Sequence, residues 1–99
     1  MTNFISEHAN EILASLQEAE KVTGYTTSCN FYNISSPCLH ICTWCDRNGI
    51  QAFYYMSESM VMDWLNADNT TDYITNKLYE MMKQEELRRI GVLNKIGGV

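Results

Sequence analysis

The chain has 99 residues, 45% of them hydrophobic and 19% charged, and its twelve acidic and seven basic side chains give a net charge of −5. That length accommodates one domain with a modest core rather than a deep, walled catalytic cavity, and one Pro with five Gly argues against a flexible linker protein. No apolar run approaches the roughly 20 residues of a membrane helix. Met1 to Glu7 has neither the basic nor the apolar region of a signal peptide, so a cytoplasmic protein with no membrane partner is expected.

The first element is a helix over about 3–22. Ile5, Ala9, Ile12, Leu13, Leu16 and Ala19 recur at spacings of three and four, and Glu7, Glu11 and Glu18 mark the solvent side. Thr2 or Asn3 can cap its start, and Gly24 supplies its stop. The period then shortens. Tyr25 to Ile34 is rich in Thr, Tyr and Phe, Ser35-Ser36-Pro37 punctuates it, and Cys38 to Cys45 and Ile50 to Met56 flank Asp46-Arg47-Asn48-Gly49. Asn-Gly between two β-prone runs signals a tight hairpin, so a three-stranded antiparallel meander is predicted at about 27–34, 38–46 and 50–56. Ser57 caps a short helix, Glu58 to Asn66. Asn69 or Thr70 caps a longer one from about Thr71 to Ile90, with Ile74, Leu78, Met81, Met82 and Ile90 as its apolar stripe and Gly91 as its stop. The fold class is therefore α+β: residues 1–91 form a single domain, and 92–99 a short C-terminal tail.

A two-residue Asn48-Gly49 loop would place Cys45 opposite Ala52, Trp44 opposite Phe53 and Cys42 opposite Tyr55. One face of the sheet then carries Leu39, Ile41, Thr43, Cys45, Ile50, Ala52, Tyr54 and Met56, the better core. The other carries Cys38, His40, Cys42, Trp44, Asp46, Gln51, Phe53 and Tyr55. Its aromatic, amphipathic composition is that of interaction surfaces. Trp44, Phe53 and Tyr55, rimmed by His40, Asp46 and Arg47, are the candidate partner-binding residues. The competing expectation is that the short helix with Met60 and Trp64, or a dimer mate, covers them as core; the chain is then a monomer or a homodimer.

Four cysteines, Cys29, Cys38, Cys42 and Cys45, fall within 17 residues. With no secretion signal, free thiols are favoured over disulfides. Cys38-x-x-x-Cys42-x-x-Cys45, with Trp44 before the last Cys, resembles the cluster-binding signature of radical S-adenosylmethionine enzymes, which would imply a [4Fe–4S] cluster on three thiolates. The resemblance covers eight residues. A hairpin turn follows where that family's loop leads into a helix, and its glycine-rich cofactor segment is missing. Zinc is the stronger alternative, with Cys29, Cys38 or His40, Cys42 and Cys45 as ligands of a small metal-dependent module, four thiolates or three and an imidazole. Yet Cys38 and Cys42 on one regular strand stand about 13 Å apart, and Cys42 and Cys45 point to opposite faces. Small buried thiols need no metal. No phosphate loop, nucleophile elbow or His-Glu-x-x-His is present, so neither a catalytic residue nor a cofactor is assigned.

The charge is uneven. Residues 1–76 hold nine acidic against two basic side chains, a net of −7, while residues 77–99 hold five basic against three acidic, a net of +2. Such a body repels phosphate, which excludes direct nucleic-acid binding as the expected function. In length, acidity and lack of catalytic motif the chain is similar in style to small bacteriophage inhibitors of host machinery, including anti-CRISPR proteins. That likeness of size and composition implies a non-enzymatic protein that binds a protein partner stoichiometrically. Glu7, Glu11, Asp63 and Asp68 would then meet a basic surface on a host nuclease or polymerase.

Overall fold

Helix, three-stranded meander, short helix and long helix follow one another in the order expected. A computed structural model of the chain describes residues 4–32 and 37–97, the last six of these as backbone. The first predicted helix is divided into α1 (Phe4–Glu7) and α2 (Ala9–Thr23). At the junction His8 has φ −109° and ψ 19°. Its backbone N–H is shared between the Phe4 and Ile5 carbonyls at 3.2 Å each, and its Nδ1 lies 2.9 Å from the same Phe4 carbonyl. A side chain that competes for a helix carbonyl loosens the turn locally, yet the ladder resumes at once with Ile12 N–H on the His8 carbonyl at 3.0 Å. Thr2 and Asn3, the expected caps, lie outside the described residues. Gly24 ends α2 in the left-handed region at φ 75° and donates to the Glu20 carbonyl at 2.8 Å, as a terminating glycine does.

Strands β1 (Thr26–Tyr32), β2 (Cys38–Trp44) and β3 (Gln51–Ser57) form one antiparallel sheet in the order β1-β2-β3. The end of the first predicted strand, residues 33–34, lies outside the described residues. The turn between β2 and β3 is wider than the two-residue loop expected. Cys45 N–H donates to the Ile50 carbonyl at 3.0 Å, and Gly49 N–H donates back to the Cys45 carbonyl at 2.9 Å, so four residues are looped out. Only Gly49 takes positive φ, 69°, whereas a type I′ turn would need it at Asn48 as well. Asn48 instead accepts the Ile50 N–H on its side-chain oxygen at 3.0 Å. Partners consequently shift by two: Trp44 faces Gln51, Thr43 faces Ala52 and Cys42 faces Phe53. A slip of two preserves the face of every side chain, where a slip of one would have reversed them.

The inner face is therefore the one expected. Leu39, Ile41, Thr43 and Met56 are fully buried and Cys45 and Ala52 nearly so, with Cys29 and Phe31 of β1 packed beside them. Thr43 keeps its hydroxyl in this layer by donating to the Thr26 carbonyl at 3.1 Å. Ile5 of α1, Ile12, Leu16 and Ala19 of α2, and Ile74, Leu78, Met81 and Met82 of the long C-terminal helix all belong to the one core that covers this face.

Helix α3 (Glu58–Leu65) begins at Ser57, whose side chain accepts the Met60 N–H. It buries Val61 and Trp64, and the Trp64 indole N–H donates to the Thr70 carbonyl at 2.8 Å. The long helix α4 (Thr70–Gly97) is capped by Asn69, whose side-chain oxygen accepts the Asp72 N–H at 3.0 Å. Contrary to expectation, it does not stop at Gly91. That glycine takes no positive φ, and the roughly 1 kcal/mol that a mid-helix glycine costs is insufficient to end a running ladder. Ile90, placed in the buried stripe by its spacing, is 52% exposed. From Lys83 to Gly91 every residue but Glu85 is exposed, because α4, about 42 Å long at 1.5 Å per residue, outruns the sheet. This overhang contributes to the 54 × 31 × 21 Å shape. No helix among the described residues is long and apolar enough to cross a membrane.

Candidate functional site

All four helices pack on one side of the sheet, which leaves its other side open. Along β2 this open face presents Cys38, His40, Cys42 and Trp44, and along β3 Gln51, Phe53 and Tyr55. Antiparallel register adds Thr26, Ser28, Asn30 and Tyr32 of β1, opposite Trp44, Cys42, His40 and Cys38. Phe53 is 57% and Tyr55 64% exposed.

The site is centred on His40. Its ring lies flat on Tyr55, with centroids 4.3 Å apart and planes within 2°, and at 5.7 Å from Phe53. Tyr32 closes the group from β1 at 6.1 Å. His40 is thus the hub of an aromatic cluster, not part of its rim as expected. Its Nε2 is buried and has no hydrogen-bond partner among the described residues. Rings on neighbouring strands at these distances reinforce one another through offset and edge contacts. Tyr32 was absent from the sequence-based set. The strand alternation that assigned faces to β2 and β3 would have found it once β1 was given a register.

Trp44 lies on the same face, four residues from His40 along β2, near the hairpin end. With Cys45, Asp46, Gly49 and Gln51 it lines a shallow depression of about 320 Å³. Gln51 donates from its amide to the Cys42 sulfur at 3.5 Å. Asp46 and Arg47 are exposed in the loop beyond the strands. Arg47 has a second role at Cys45: burial would push that thiol up, but the backbone N–H groups of Arg47 and Asn48 and the Arg47 side chain outweigh it and hold the thiol below its ordinary value. On the inner face, burial pushes the Cys29 thiol above its ordinary value.

The expected helix cover is not there. Trp64 is fully buried and Met60 packs against the core, so α3 seals the inner layer and leaves Trp44, Phe53 and Tyr55 alone. The acidic residues proposed for charge pairing lie elsewhere again. Glu7 is on α1, Glu11 on α2, Asp63 on α3 and Asp68 in the turn before α4, all exposed. They belong to the helical layer and its connections, so the charged and aromatic modes would use different parts of the molecule.

The cysteines do not converge as zinc ligands. Cys38 and Cys42 belong to the open face, Cys29 and Cys45 to the inner one, and all four are free thiols. Among the described residues no three His, Cys, Asp or Glu side chains are grouped to hold a metal ion. No protein-family model, curated protein or solved structure gives a significant match to the chain.

Proposed function

We propose that this protein works by stoichiometric binding to a protein partner, and that the open face of its sheet is the contact surface. The observation that carries the proposal is the cluster of Tyr32, Phe53 and Tyr55 around His40, two of whose rings remain more than half exposed. A rigid strand surface presenting aromatic side chains offers large contact area at little entropic cost. Trp44 extends the surface toward the hairpin, where Asp46 and Arg47 supply a charged edge. The chemistry fits recognition better than catalysis: Cys38 and Cys42 flank His40 on this face, but among the described residues no hydrogen bond joins either thiol to the imidazole and no third group orients the ring. In length and acidity the chain is consistent with an inhibitor of a host nuclease or polymerase of the bacteriophage type.

Capture of the partner from the native host with wild-type protein, followed by affinity measurement on Trp44→Ala and Tyr55→Ala, tests the reading. Both variants should bind at least tenfold more weakly, a loss of about 1.4 kcal/mol or more, while retaining the wild-type circular dichroism. Unchanged affinity in the folded fraction would sink it. Salt separates the modes: aromatic contact survives an increase in ionic strength that weakens pairing through Glu7, Glu11, Asp63 and Asp68.

A further inference from the structure

We draw no further inference here: the strongest candidate, the uncharged outer edge of β3 beside the groove it forms with α4, carries nothing because nothing in the structure shows what covers it.

Discussion

Tyr55 and Met56 are adjacent on β3 and point to opposite sides of the sheet, so truncating each to Ala measures the two faces within one strand. Tyr55 is 64% exposed, which leaves about a third of a side chain of about 200 Å² covered. At about 25 cal/mol per Å² this covered surface is worth about 1–2 kcal/mol, His40 stacking included. Met56 is fully buried among Leu39, Ile41 and Val61 in the core. Its truncation loses transfer energy and leaves a cavity, about 3 kcal/mol from a range of about 2–5. Met56→Ala should therefore be the costlier by about 1.5 kcal/mol, roughly 8 °C in melting temperature for a domain of this size. Urea unfolding of both variants at low protein concentration, followed by circular dichroism, gives the comparison directly. Equal costs, or a costlier Tyr55→Ala, would refute the division into a covered and an open face.

The remaining predictions address the turn, the second tryptophan, the buried thiol and the metal question. Gly49→Ala should cost about 1–2 kcal/mol in urea unfolding, since its φ of 69° strains any side chain although no atom stands near the added Cβ; a neutral result would mean that the turn is of another type. Trp64→Phe deprives the Thr70 carbonyl of its indole donor and should cost about 2–3 kcal/mol, against less than about 1 for Trp44→Phe on the open face; equal values would count against the packing of α3. Burial raises the Cys29 thiol, and burial with the neighbouring Cys45 and Tyr79 raises the Tyr25 hydroxyl. Above about pH 8.5 the unfolded chain therefore releases protons that the folded chain still holds. The contribution of Cys29 and Tyr25 to stability falls as pH rises through that window, opposed by Cys45, whose thiol is held low, and Cys29→Ala should make the melting-temperature profile fall less, or rise more, at its lower end. Protein purified without chelator should contain no stoichiometric zinc and melt identically after chelation; one equivalent of zinc with a large loss of stability on its removal would restore the metal reading of the cysteines.

Much of the fold was legible in local sequence. Apolar spacing located α2 and α3, Gly24 and Ser57 marked the ends they occupy, and strand alternation separated Leu39, Ile41 and Met56 from His40, Phe53 and Tyr55. These signals are local: a period of two or 3.6 and a capping side chain act over a few residues and need no partner element. The exact turn was not legible, because Asn48-Gly49 suits more than one loop, and the choice rests on backbone bonds between Cys45, Gly49 and Ile50. The face assignment survived only because the register error was even.

The aromatic site divides in the same way. The sequence by itself determined that one side of β2 and β3 is aromatic and amphipathic, since alternation alone assigns those side chains. Whether that side is core or surface was decided by the helices, which all lie on the opposite face and draw Trp64 inward. Tertiary packing also set His40 at the centre of the cluster, brought Tyr32 to it from β1, and set the Glu20 carboxylate on the Thr27 N–H at the β1 edge of the sheet. It carried Ile90 past the end of the sheet despite a spacing that suits burial. Each of these depends on contact between segments distant in the chain. An amphipathic stripe specifies that a residue can be buried, and only the extent of the surface opposite it decides whether it is.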